Sequence, residues 1–404
     1  MIDVVLLASG ADEVRLVHAF ATELPDRVKV VRRCADYAEA LSAVRSGIGD
    51  AIIIDIGLTE LDRSSVSQLQ AHSAAVIGLL SPDAGVDARN LGIFFTLDAG
   101  ADAEAAYMVL LEAVASSQDG SAPPDAWQSA VPAVESAGHG RVIAVWGPRG
   151  STGRSTIAAH LAYELSLLGR DTVLIDADTA APSQSQLLGI LDEAPGIVAA
   201  ARLAARGALS SDSINQLTPV VTGQLRILSG IGVASRWSEV DPDALTAVIH
   251  AICALDDMVV IDCAAPIDDD GSAGPYVQDR NGAARAALRA ATDVLCVVGA
   301  NPISLTRLIR EADELAALTD APRHLLLNRV DRAVSTTQME RSIRSRMDVA
   351  SVTEIPDDPA LLSRLVWDGA LLGEAAPRSA VRRALAAFAA QLDAAQQPAE
   401  TRID

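Results

Sequence analysis

Lysine is almost missing from this 404-residue sequence: Lys29 stands alone among 32 Lys and Arg. Cysteine is scarce too. The four present (Cys34, Cys253, Cys263, Cys296) are scattered without CxxC spacing, which excludes a disulfide framework and a cysteine metal cage. The six His are equally dispersed, so no metal site built from side chains alone is expected. No run approaches ~18 consecutive apolar residues, so no segment is expected to span a membrane. The opening MIDVVLLASGADEV lacks the basic start and the apolar length of a secretion signal, so a cytoplasmic protein is expected. Positive charge is in short supply, with 53 Asp and Glu against 32 Lys and Arg and a net charge of −21. Residues 1–120 hold 18 acidic and 8 basic side chains, and no cluster of four Lys or Arg occurs. Nucleic-acid binding needs phosphate-neutralising cations, so nucleic acid is disfavoured as a partner.

What is present is an aliphatic, two-part chain. Half the residues are hydrophobic, and the length suits two or three domains that each bury a core. Residues 117–140, rich in Ser, Ala, Pro and Gly, read as a flexible linker, and 394–404 as a frayed tail. Over 1–116, apolar runs at Val4–Leu7, Val28–Val31, Ala51–Ile56, Ala75–Leu80 and Ile93–Leu97 alternate with helical periodicity at Asp12–Thr22, Tyr37–Arg45, Ser64–Gln70 and Ala103–Ala115. Five such units predict a flavodoxin-like doubly wound sheet. Over 141–393 the alternation resumes on a larger scale, with strands predicted at Val142–Val145, Thr172–Ile175, Arg226–Leu228, Met258–Ile261, Val294–Val298 and His324–Leu327. The fold class is α/β throughout, the second domain being the larger doubly wound sheet.

The segment VIAVWGPRGSTGRSTIAAHLAYEL is the most informative. An apolar strand enters a Gly-rich turn and then a helix, the context a phosphate-binding loop requires. Gly150 and Gly153 let main-chain N–H groups converge on an anion, and the helix N-terminus adds partial positive charge. Ser155 is placed to ligate Mg²⁺, with Thr156 beside it. An ordinary βα turn is the alternative reading, because the usual Lys is missing.

Pro148-Arg149-Gly150-Ser151-Thr152-Gly153-Arg154-Ser155-Thr156 resembles the deviant Walker A loop of ParA/MinD-family P-loop ATPases. Arg149 and Arg154 stand where that family has Lys, and Pro148 and Ser151 stand where Gly is usual. The resemblance implies that ATP and Mg²⁺ are the cofactors. It also implies that Arg149 reaches a partner subunit's phosphates across a homodimeric nucleotide sandwich, and that Arg154 contacts the β- and γ-phosphates of its own subunit. Guanidinium keeps the charge but is bulkier than ammonium, so binding is expected to survive better than turnover.

Further matches follow in order. Strand Val173-Leu174-Ile175 ends in Asp176-Ala177-Asp178; the resemblance assigns Asp176 to the metal's water and Asp178 to the attacking water. Capping of the next helix is the plain alternative for Asp178. Met258-Val259-Val260-Ile261-Asp262 has the Walker B pattern, delivering Asp262 toward the metal. The Asp268-Asp269-Asp270 run reads as a solvated loop. Asn328 of Leu327-Asn328-Arg329-Val330 resembles the family's adenine-binding Asn, and Pro356 of Ile355-Pro356-Asp357-Asp358 its base-flanking loop.

In the first domain Asp55 ends a strand as a response-regulator phosphoacceptor does. However, Ala8-Ser9-Gly10 replaces the family's acidic pair and Asp98 its Lys, while Asp12 and Glu13 fall on a first helical turn. Ser81 could serve as the switch hydroxyl. An atypical receiver used for docking or dimerisation is the expectation. Receiver, linker and ATPase together resemble the CpaE/TadZ family. That resemblance implies a nucleotide-dependent organiser of Flp/Tad pilus or septum-site machinery, acting through a pilus-secretion ATPase or a polar or septal partner. A degenerate scaffold and a partition ATPase are the alternatives. The last helix, from Ser379, carries too few cations for a lipid-binding helix and reads as packing, so direct membrane insertion is not expected.

Overall fold

The computed structural model describes residues 1–58, 61, 63–72, 75–80, 88, 91–118, 140–150, 152–190, 195–268, 279–331 and 335–394. Most of the expected linker, the tail from 395, Ser81, Ser151 and Asp269-Asp270 lie outside the described residues. The chain divides into two compact units, one of Met1–Ser136 with Leu203–Ala208 and one of Ala137–Arg202 with Leu209–Asp404.

The first unit holds five parallel strands: β1 (Ile2–Leu7), β2 (Val28–Arg33), β3 (Ala51–Asp55), β4 (Ala75–Leu80) and β5 (Phe95–Asp98). Their order, β2-β1-β3-β4-β5, is the flavodoxin-like doubly wound one. Alternate residues of β1 and β3 supply two separate cores: Val4, Leu6 and Ile53 face one set of helices, and Val5, Leu7 and Ile54 the other. The fifth strand begins two residues later than the sequence pattern predicts. Gly92 takes a positive φ and Ile93 N–H donates to Ala88 O, so Ile93 closes a turn and packs on Gly78.

The second unit carries β6 (Arg141–Trp146), β7 (Thr172–Ala177), β8 (Val220–Thr222), β9 (Leu225–Leu228), β10 (Met258–Cys263), β11 (Asp293–Gly299), β12 (Arg323–Val330) and β13 (Ser351–Pro356). Their order is β13-β12-β11-β6-β10-β7-β9-β8, parallel except for β8, which returns antiparallel on β9. Among the described residues only this three-residue edge strand breaks the parallel pattern, and Val220 on it is exposed. The central strands are buried on both faces, as their unbroken apolar runs require.

Asx–Pro pairs start three helices. Asp241, Asn301 and Asp358 accept main-chain N–H bonds at the N-termini of Pro242–Cys253, Pro302–Leu318 and Pro359–Asp368, whose prolines need no donor there. The final helix, Ala380–Ala394, lays Val381, Leu385 and Phe388 on the core beside Arg154–Leu167. Its Arg382 pairs with the buried Glu164 at 2.8 Å. At the amino ends of β11, β6 and β12, Asp293 accepts from Arg141 (2.5 Å) and His324 (3.0 Å). Burial pulls the Asp293 carboxyl up, but Arg141 and His324 outweigh it and leave it below its ordinary value.

Candidate functional site

Strand register brings the carboxylates together. Asp262 of β10 is level with Asp176 of β7 on one side and Val145 of β6 on the other. The loop leaving β6 therefore opens directly beside both acids, at the carboxyl end of the sheet where doubly wound folds bind ligands.

The loop's shape depends on glycine. A Cβ on Gly147 would drive into Val297 O, and Gly153, at φ +92°, would drive one into Asn328 Nδ2. Gly153 is also the residue before the helix Arg154–Leu167, so the helix N-terminus faces the loop's interior. Thr152 is buried, and its Oγ1 has no hydrogen-bond partner among the described residues.

Arg154 lies inside the bowl, its side chain 13% exposed. Its Nε donates to Cys263 O (3.2 Å), and Nη1 donates to Gly147 O (3.1 Å) and Pro148 O (3.3 Å). Nη2 sits 3.5 Å from Asp178 Oδ2. The guanidinium thus staples the start of its own loop to the end of β10. Arg149 points the other way, 63% exposed, with Asp268 at 3.3 Å.

Asp176 and Asp262 are buried, with Arg154 the cation beside them. Burial first, and then the Asp262 charge, push Asp176 up to about 8, against the pull of Ser183 and Gln184 main-chain N–H groups. Burial likewise raises Asp262, although the Ser155 and Gln184 side chains pull it back. Its Oδ2 accepts from Gln184 Nε2 at 2.8 Å, while Oδ1 has no partner among the described residues. A buried carboxylate oxygen without a donor is costly unless a cation or water meets it. Asp178 accepts from Ala180 N–H (2.9 Å) and Ala181 N–H (2.8 Å), so it caps a turn and not the helix that begins at Gln184.

A cavity of about 420 Å³ opens on the other side of the loop, lined by Gly153, Thr156, Asn328, Ile355, Asp357 and Leu362 among others. Asn328 donates from Nδ2 to Thr152 O (2.8 Å) and accepts from Arg329 N–H (2.9 Å), which spends both ends of its amide on the protein. Pro356 closes β13 between two lining residues. Arg329, at φ +59°, is a non-glycine in the left-handed region where the β12–β13 register slips.

The structure therefore groups Arg154, Ser155, Asp176, Asp178 and Asp262 on one side of the loop and Thr156, Asn328 and Pro356 on the other. Gly150 and Arg149 stand at its mouth. Sequence reasoning missed three side chains. Gln184 sits between Ser155 O (3.0 Å) and Asp262. Arg307 donates to Arg149 O (2.8 Å) and would collide with a Cβ on Gly150. Glu311 has a buried Oε2 without a partner among the described residues and a carboxyl raised chiefly by burial. Gln184 lies six residues after the Asp178 that ends the D-x-D pair, and no pattern in the sequence marks it, Arg307 or Glu311.

The residues fit magnesium and a polyphosphate. Among the described residues no group of three or more His, Cys, Asp or Glu could hold a metal alone. A magnesium ion here would take oxygens from Ser155 and the nucleotide, with Asp176 and Asp262 neutralising its charge. In the first unit, Asp55 accepts from Gly57 N–H (2.9 Å) within its own turn, and Glu13 pairs with Arg33. Asp12 and Glu13 occupy the first turn of the helix Gly10–Glu23.

Among curated proteins, the chain is 24% identical over 261 residues to an uncharacterized ATP-binding protein of Methanocaldococcus jannaschii, covering 64% of this chain and 89% of that one. It is 28% identical over 276 residues to the antiactivator FleN of Pseudomonas aeruginosa, covering 65% and 89%. Solved structures with the same fold include the cell division ATPase MinD of Pyrococcus furiosus (TM-score 0.52, 22% identity, 63% of this chain and 99% of that one). Another is a ParA family ATPase from Chlorobium tepidum (TM-score 0.54, 17% identity, 63% and 99%). Among the described residues no helix is long and apolar enough to cross a membrane. Residues 143–365, more than half of the chain, match the CobQ/CobB/MinD/ParA nucleotide binding domain, and the chain belongs to that family.

Proposed function

We propose that the second unit binds ATP with Mg²⁺ and uses nucleotide state to control a homodimer that organises other proteins in space. The observation that carries this reading is Asp262 Oδ1, without a partner among the described residues and buried beside Asp176 at the foot of a loop that tolerates no Cβ at Gly147 or Gly153. In the bound form Thr152, Gly153 and Ser155 offer main-chain N–H groups to phosphate, and Arg154 exchanges carbonyls for phosphate oxygens. Asn328 and Pro356 frame the base, and Ser151 belongs to the same loop. The exposed Arg149 would exchange its ion pair with Asp268 for a partner's nucleotide. Relatives named for cell division and for antiactivation support an organising role. The finer reading is a CpaE/TadZ-like protein in which an atypical receiver (1–116) docks partners and the ATPase places Flp/Tad pilus or septum-site machinery. The test is sedimentation of the full chain with a non-hydrolysable ATP analogue and Mg²⁺: wild type dimerises, and Arg149→Ala stays monomeric while still binding nucleotide.

Arg154 favours a second reading, a scaffold that binds nucleotide but turns it over slowly or not at all. Its guanidinium is tied to three carbonyls, and the Asp178 it approaches is already committed to a turn. Phosphate release under saturating ATP separates the two readings.

A further inference from the structure

Gln184 is fully buried, although it is a long polar side chain beside a ligand site. Burying an amide requires its hydrogen bonds to be made inside the protein. Two of its groups make three hydrogen bonds to residues already assigned to the metal. Its main-chain N–H donates to Asp176 Oδ2 (2.9 Å). Its Nε2 donates to both Ser155 O (3.0 Å) and Asp262 Oδ2 (2.8 Å). Because both of those are acceptors, the amino group must lie on that side, and the orientation of the amide is chemically fixed. The carbonyl Oε1 is left buried and without a partner among the described residues, as is Asp262 Oδ1. Covalent geometry keeps Oε1 within about 5 Å of the Asp262 carboxylate. Two orphaned acceptors on adjacent side chains call for a shared donor or cation.

We propose that Gln184 is a further residue of the magnesium site, its Oε1 accepting from the ion's hydration shell alongside Asp262. Magnesium gives up its water reluctantly and so presents donors to surrounding oxygens. Residues in that outer position orient the ligands and tune affinity. Gln184 has a second consequence. It opens the short helix Gln184–Leu187, and its N–H holds the first carboxylate of the D-x-D pair. Metal loading is therefore transmitted through one side chain to the segment after Asp178, tightening it when the ion is present.

The inference rests on the magnesium–nucleotide reading, and the experiment separates their failures. Labelled ADP is titrated into the full chain with Mg²⁺ and again with EDTA, for wild type, Gln184→Met and Gln184→Glu. Wild type must bind more tightly with Mg²⁺; if it binds under neither condition, the nucleotide reading fails. Gln184→Met should lower the magnesium enhancement about tenfold to a hundredfold while leaving metal-free binding within about threefold. Gln184→Glu keeps the oxygen but turns two donated bonds into repulsions that Mg²⁺ relieves, so its enhancement should be at least that of wild type. Should Met destroy folding, the Glu variant alone decides: Mg²⁺ with ADP must raise its melting temperature more than that of wild type, since the ion relieves an added carboxylate. Equal enhancement in all three proteins, or equal loss of metal-free binding in both variants, overturns the assignment.

Discussion

Arg154→Lys should bind ATP more tightly than wild type, although it removes donors from the site. In the structure the guanidinium already serves Cys263 O, Gly147 O and Pro148 O and lies 3.5 Å from Asp178. To reach phosphate it must release some of these bonds, and binding is weakened by what it releases. A hydrogen bond to a charged group contributes about 1.5–3 kcal/mol, and these are long, so the lower end applies. An ammonium has three donors against the guanidinium's five and holds fewer carbonyls at once. Relieving one bond, about 1.5 kcal/mol, corresponds to roughly a tenfold lower Kd. The same lost bond lowers the melting temperature of the nucleotide-free protein. Calorimetric titration with ATP and Mg²⁺, paired with thermal melts, reads both effects. Unchanged or weaker ATP binding in Arg154→Lys refutes the tether, because the carbonyl bonds then compete with nothing.

Other perturbations have equally definite outcomes. Gly153→Ala forces a Cβ against Asn328 at a positive φ; it should destabilise the protein by about 1–3 kcal/mol and abolish nucleotide binding, read by urea unfolding and titration. Asp293→Ala strands Arg141 and His324 in the interior and should lose about 3–5 kcal/mol of stability. Because the folded state holds Asp293 below its ordinary value, the stability it lends is present above that value and is lost as pH falls from it through the lower folded-state value. Asp176 behaves oppositely. Its carboxyl is raised, so the folded chain binds more protons than the unfolded one, and nucleotide-free stability declines as pH rises from 3.8 toward about 8. Magnesium displaces that proton, so the rise in melting temperature given by Mg²⁺ with ADP should grow over the same interval; a rise independent of pH contradicts it.

The parallel sheets were legible in the sequence because strands buried on both faces must be written as unbroken apolar runs. Met258-Val259-Val260-Ile261 is one such run. The edge strand β8 was not legible, since three residues paired on one side need no such pattern. The late start of β5 turned on Gly92, whose conformation no periodicity reports. Within the site, Asp176, Asp262 and the glycines are marked by their place at strand ends and in the turn. Gln184, Arg307 and Glu311 come from a four-residue helix and a distant one, and only the folded chain brings them to the loop. Arg154 was read as a phosphate ligand from its position. What the sequence could not convey is that its Nε and Nη1 donate to three carbonyls of the protein itself.

The decisive measurement is titration of the purified full chain with ATP, with and without Mg²⁺. Saturable binding of one nucleotide per chain that magnesium strengthens, and that Asp262→Asn weakens only when magnesium is present, is the expected result. Absence of binding at millimolar nucleotide, or binding indifferent to both the metal and Asp262, contradicts it.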